Sequence, residues 1–128
     1  MYRRYSIVYV KNDQDQVLMG KRNDSGKYTN PGGGCHKREC AAEGAIREFK
    51  EETGVSIDSV KLVKVFFTDD KNLIYMFEGV MPEEYEFDTS KDPDDEVETW
   101  EFVDPFDVIE DLHISAEKNV ILQHWAGK

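Results

Sequence analysis

The chain has 128 residues, 39% hydrophobic and 12% aromatic, so it carries enough apolar mass for a packed core and is not a disordered polymer. Its formal net charge of −11 argues against binding to DNA or RNA backbones, where affinity rests on Lys and Arg neutralising phosphates. The two cysteines, Cys35 and Cys40, point to a reducing compartment and lack the four-ligand spacing of a structural zinc site. The length predicts one domain over residues 1–128. The apolar run within residues 1–10 is too short for a secretory leader or a membrane span, and no later run is longer. The expected location is cytoplasmic, without a membrane partner.

In chain order, residues 5–11 and 16–22 are β-like runs joined by the turn-rich Asn12-Asp13-Gln14-Asp15, a predicted hairpin. Residues 23–30 form a polar loop, and Pro31-Gly32-Gly33-Gly34 reads as neither helix nor regular strand. A helix is predicted over residues 40–53, ended by Gly54. Residues 60–68 and 73–80 read as strands around a second hairpin turn, with residues 81–88 extending or ending that sheet. Trp100 and Phe102 favour a strand over residues 97–103. Asp104-Pro105 makes an N-cap and first-turn pair that predicts a short helix to Leu112, and Ser115 caps a last helix to Trp125. Phe66, Phe67, Tyr75 and Phe77 read as sheet core, and His113 and His124 as surface or packing residues.

The most informative segment is residues 33–55. Glu48, Glu51 and Glu52 stand at helical positions i, i+3 and i+4, within an arc of roughly 100° on one face. Like charges this close repel, which makes sense if a hard cation is bound among them, since Mg²⁺ takes oxygen ligands. The alternative is a solvated acidic face softened by Arg47 pairing with Glu43 and Glu51. An apolar stripe of Ala42, Ala45, Ile46 and Phe49, centred about 110° from the acidic arc, anchors the helix by its core face, and a glycine run leads into it.

This segment resembles the Nudix box, G-x5-E-x7-R-E-U-x-E-E-x-G-U, with U a bulky apolar residue. Gly33, Glu39, Arg47, Glu48, Phe49, Glu51, Glu52, Gly54 and Val55 match every specified position. The resemblance implies an α/β fold, the Nudix-type α/β/α sandwich with a mixed β-sheet, which agrees with the predicted order β-β-α-β-β-β-α-α. It further implies a hydrolase of nucleoside diphosphates linked to another moiety, using Mg²⁺ or Mn²⁺. Carried over by position, Glu48, Glu51 and Glu52 are metal-binding glutamates and Gly33 offers its carbonyl. Arg47 orients Glu51 or Glu52, and Glu39 supports the loop or a metal-bound water. Where many family members have an acidic residue, Pro and Gly before the first box glutamate, this chain has Cys35-His36-Lys37-Arg38-Glu39, and its basic triplet reads as exposed loop.

Hydrolysing a diphosphate needs charge neutralisation, an activated water and a base within hydrogen-bond reach. Family members often place a further catalytic glutamate in a loop before a late strand. Glu96 holds the comparable place here, with Asp94, Asp95 and Glu98 as rivals. Arg22, at the end of the second strand, is a candidate phosphate contact, and Tyr28 a candidate base-stacking or pocket residue. The proline and tyrosine marks of ADP-ribose and diadenosine polyphosphate hydrolases are absent past the box, as are the extended motifs of coenzyme A and NADH pyrophosphatases. The chain therefore looks most like the nucleoside triphosphate pyrophosphohydrolases, with ADP-ribose and dinucleoside polyphosphates left open. The expected partner is a small nucleotide, and the expected state a monomer or homodimer. The competing class is a non-catalytic nucleotide sensor, whose usual sign, loss of box glutamates, is absent.

Overall fold

Alternation along the first strand organises the molecule. In β1 (Arg3–Val10), Ile7 and Tyr9 point to one face and Val8 and Val10 to the other, and all four are buried. β1 is therefore covered on both sides. The structure, a computed structural model, describes residues 3–90 and 97–125.

Two sheets carry the fold. The first has the order β4-β1-β6-β5, formed by β4 (Gly32–Gly34), β1, β6 (Asn72–Gly79) and β5 (Val60–Phe67). β1 and β6 run parallel and the other pairs antiparallel, so this sheet is mixed. The second has the order β3-β2-β7, from β3 (Tyr28–Thr29), β2 (Val17–Arg22) and β7 (Val97–Val103). Helix α1 (Ala41–Thr53) lies on one side, where Ala45 and Phe49 pack with Val8, Val10, Leu18, Phe77 and Trp100. On the other side Ile7, Tyr9, Val17, Met19, Ile74 and Met76 meet Val108, Leu112, Val120 and Ile121, the last two from α2 (Glu117–Trp125). This is the expected α/β/α layering.

Helix α1 ends where its sequence says it should. Gly54 adopts φ 78°, the left-handed conformation that glycine takes without steric cost, and donates its N–H to the Lys50 carbonyl at 2.9 Å. The second predicted hairpin forms as β5–β6. Of the two alternatives for residues 81–88 the structure takes the second: β6 stops at Gly79 and they end the sheet without a strand.

Four expectations are corrected. β1 and β2 do not form a hairpin ladder. A single bridge, Lys11 to Val17, joins them before they part into different sheets. The glycine run is a strand, paired with β1. A side chain at Gly32 would overlap the Ser6 carbonyl, so here glycine permits a close approach of backbones rather than breaking a strand. Residues 104–112 form successive turns instead of an α-helix, although Asp104 does accept the Phe106 N–H at 2.9 Å. Phe67 is 59% exposed on the edge strand β5 rather than in the core.

Candidate active site

The box loop and α1 are held together by one guanidinium. Arg47 grips Glu39 with two parallel hydrogen bonds, Nε to Oε2 at 2.8 Å and Nη2 to Oε1 at 2.9 Å. Nη2 also donates to the Gly34 carbonyl at 3.0 Å. Nη1 reaches Glu48 Oε1 at 3.0 Å and both Glu51 oxygens at 3.2 and 3.3 Å. Arg47 thus orients Glu48 and Glu51, and Glu43 is hydrogen-bonded by the Cys40 thiol instead. Glu39 further accepts the His36 N–H at 3.0 Å. The Arg47 guanidinium beside it holds the Glu39 carboxyl down at about 2, and Glu39 in turn pushes the arginine pKa up.

Glu52 is buried, and its Oε1 accepts the Gly32 N–H at 2.7 Å, joining the helix to the glycine strand. Its own carbonyl accepts from the Trp100 indole at 3.2 Å, so β7 also fixes this end of the helix. Gly33 faces Glu48. A Cβ there would stand 2.6 Å from the Glu48 carboxyl carbon, so the missing side chain is the room the carboxylate occupies. The carboxylates of Glu48, Glu51 and Glu52 and the Gly33 carbonyl are hard oxygen donors, the chemistry that Mg²⁺ or Mn²⁺ takes. Among the described residues no three acidic, His or Cys side chains converge as they stand. Glu48 and Glu51 are turned onto Arg47, and Glu52 onto Gly32.

Glu52, Gly32, Gly33 and Gly34 line a cleft of about 770 Å³, within the range that holds a nucleotide-sized ligand. Tyr5, Ile7 and Ile74 give it an apolar wall, and residues from the β5–β6 turn and from 113–119 close it. Arg22 lines it too, with its guanidinium paired two-fold to Asp24 at 3.0 and 2.9 Å. It is the one Lys or Arg among the described lining residues, against Glu52, Asp69 and Asp70. The Tyr28 side chain packs against the inner core cluster and is not among the described cleft-lining residues. Its backbone donates to Asp111 O at 2.7 Å and accepts from His113 N at 2.8 Å. His36, Lys37 and Arg38 are exposed. Glu96, Asp94 and Asp95 lie outside the described residues, and so does the side chain of Glu98.

Sequence reasoning overlooked a buried polar cluster beside the cleft. Glu117, in the first turn of α2, is 1% exposed. It accepts a short hydrogen bond from the Tyr9 hydroxyl. The amide of the cleft-lining Asn30, oriented by its hydrogen-bonding partners, donates to Glu117 at 2.7 and 3.1 Å. Burial raises the Glu117 carboxyl to about 7 despite the tyrosine bond, which favours the charged form. In sequence Glu117 reads as an ordinary acidic residue near a helix start. The folded protein holds its proton more tightly than the unfolded chain does, so stability is greatest below the unfolded pKa of 4.5 and falls as pH rises toward 7. Glu117→Gln keeps an oxygen acceptor and cannot ionise. Relative to the parent it should gain roughly 3 kcal/mol between pH 4.5 and pH 8. Denaturant unfolding across that range checks this, and parallel pH curves for the two proteins would refute it.

A model of the NUDIX domain matches residues 1–124, and the chain belongs to this family. A Bacillus subtilis (strain 168) protein named "Putative 8-oxo-dGTP diphosphatase" is 34% identical over 79 residues, 59% of this chain and 53% of that protein. The chain thus matches about half the length of that curated relative. A NUDIX hydrolase from Nitrosomonas europaea superposes with a TM-score of 0.79 at 19% identity, over 100% of this chain and 91% of that one. An ADP-ribose pyrophosphatase from Streptococcus suis 89-1591 gives 0.67 at 18%, over 100% and 94%. These two likenesses show the fold. No helix among the described residues is long and apolar enough to cross a membrane.

Proposed function

We propose that this chain is a divalent-cation-dependent Nudix pyrophosphohydrolase acting on a (deoxy)nucleoside triphosphate. The observation that carries this reading is the cleft itself. Its wall brings Glu52 and the glycine strand together, and Arg47 holds Glu48 and Glu51 beside them. Glu48, Glu51, Glu52 and the Gly33 carbonyl would hold Mg²⁺ or Mn²⁺. When bound, the cation supplies charge neutralisation on the diphosphate and acidity to water. The chain's own groups then position the substrate. Arg22 is our candidate phosphate contact, and Glu39 steadies the loop through Arg47. Glu96 is our candidate general base. The triphosphate reading rests on the missing marks of other subfamilies and on the name of the Bacillus relative. We take the protein to be one cytoplasmic domain, a monomer or homodimer, with a small nucleotide as its partner.

Chelation by EDTA should abolish hydrolysis, and Mg²⁺ or Mn²⁺ should restore it. A panel of oxidised and ordinary nucleoside triphosphates, ADP-ribose and dinucleoside polyphosphates, with products identified by chromatography, tests the substrate class. Full turnover in chelator would remove the metal from the reading. Faster cleavage of ADP-ribose than of any triphosphate would replace the substrate. Nucleotide binding without products would make the chain a sensor.

A further inference from the structure

On β1, Arg4 and Ser6 share a face with Val8 and Val10, whose side chains pack beneath α1. A strand buried in this way would ordinarily continue with apolar residues. Arg4 and Ser6 instead meet the backbone of the loop that connects β4 to α1. Arg4 Nη2 donates to the carbonyls of His36 at 3.1 Å and Glu39 at 2.8 Å. The Arg4 carbonyl accepts the Cys35 N–H at 2.9 Å. Ser6, fully buried, donates its hydroxyl to the Ala41 carbonyl at 2.7 Å and lies 3.2 Å from the Cys35 sulfur. Residues 35–41 are therefore clasped to β1 at both ends and in the middle.

Glu39 is held twice, its carbonyl by Arg4 and its carboxylate by Arg47. Arg47 in turn sets the carboxylates of Glu48 and Glu51. We propose that Arg4 is a positioning residue for the metal-binding carboxylates, acting through Glu39 and Arg47. The inference rests on the reading of Glu48, Glu51 and Glu52 as metal ligands. Without Arg4, two loop carbonyls lose their donor, Glu39 can swing with its loop, and Arg47 loses its two-pronged anchor.

Mn²⁺ titration of the purified full chain, followed by electron paramagnetic resonance, tests this with Arg4→Gln and Arg4→Lys. Thermal unfolding and steady-state kinetics accompany it. Partners bonded directly to metal ligands typically change metal affinity about 10–100-fold, and Arg4 acts through two further contacts, so the low end of that range, about tenfold, is the scale expected here. Arg4→Gln should weaken Mn²⁺ binding on that scale and lower kcat, with KM for the nucleotide little changed. Arg4→Lys keeps the charge but has a shorter reach, so it should fall between Arg4→Gln and wild type. Wild-type Mn²⁺ affinity in a folded Arg4→Gln protein would overturn the proposal. A lowered Tm with unchanged affinity in the folded fraction would overturn it as well, since Arg4 would then be a structural clasp alone. Absence of Mn²⁺ binding by the wild type would bring down the ligand reading and this proposal together. Binding by the wild type with equal binding by Arg4→Gln removes only the role of Arg4.

Discussion

Replacing Glu52 by glutamine should lower kcat by at least about 10²–10³-fold, the scale of losing one preorganised electrostatic contact to a transition state. The fold should survive. Glu52 Oε1 accepts the Gly32 N–H, and a glutamine oxygen can accept the same bond, so the stability change should stay within about 1 kcal/mol. Glu51→Gln should lose turnover on a similar scale. Its effect on stability has a different origin. Three like charges on one helix face suggest that neutralising one of them would stabilise the chain slightly. In the structure Glu51 is paired with Arg47 and its side chain is 39% exposed, which makes it a surface-type ion pair with a contribution of about 0–1 kcal/mol. The relief of repulsion and the loss of this pair nearly cancel. Steady-state kinetics with saturating Mg²⁺, set beside thermal unfolding, separates the two effects. Near-normal turnover in either variant would return that residue to a solvated acidic face.

What could be read from the sequence was local or motif-bound. Helix α1 is legible because its apolar stripe, its Gly54 terminus and its box residues all point to the same segment. β7 is legible because its aromatic residues fall between a proline-containing loop and Asp104-Pro105. What failed was decided by partners distant in sequence. Residues 104–112 have an N-cap, a proline and apolar residues at 108 and 112, all favourable to a helix. The backbone of Tyr28 instead bonds Asp111 and His113, drawing that end of the segment into extended pairing. Glycine usually ends strands, so the sequence of β4 reads as a break, and only contact with β1 shows why glycine is needed there. Arg47 meets Glu51 as expected, one helical turn away, but its grip on Glu39 and Glu48 depends on how the loop folds back over the helix. Arg4 left a faint trace, a charged residue in register with Val8 and Val10. The carboxyl of Glu117 left none, since its burial depends on Tyr9 and Asn30, distant in sequence.

Arg47→Ala should be the most destabilising single change at the site, because one side chain serves six acceptor atoms, five oxygens of three carboxylates and one peptide carbonyl. The variant leaves Glu39, Glu48 and Glu51 close together without their shared cation. The arginine is 23% exposed, so the loss should lie between that of a surface pair and that of a fully buried one, roughly 2–3 kcal/mol. Turnover should fall by about 10²-fold or more, since a misplacement of about 1 Å is enough for that. Arg47→Lys should recover little, because an ammonium cannot reproduce the two parallel bonds to Glu39. The stability loss has a pH signature. Arg47 depresses the Glu39 pKa from 4.5 to about 2, so the stabilisation is fully present above pH 4.5 and disappears as pH falls toward 2. Wild type and Arg47→Ala should therefore differ most in unfolding free energy near neutral pH and converge in acid. A gap that stays constant down to pH 2 would mean that the guanidinium acts by packing its carbon stem. The carboxylates would then be held in place by something other than its charge.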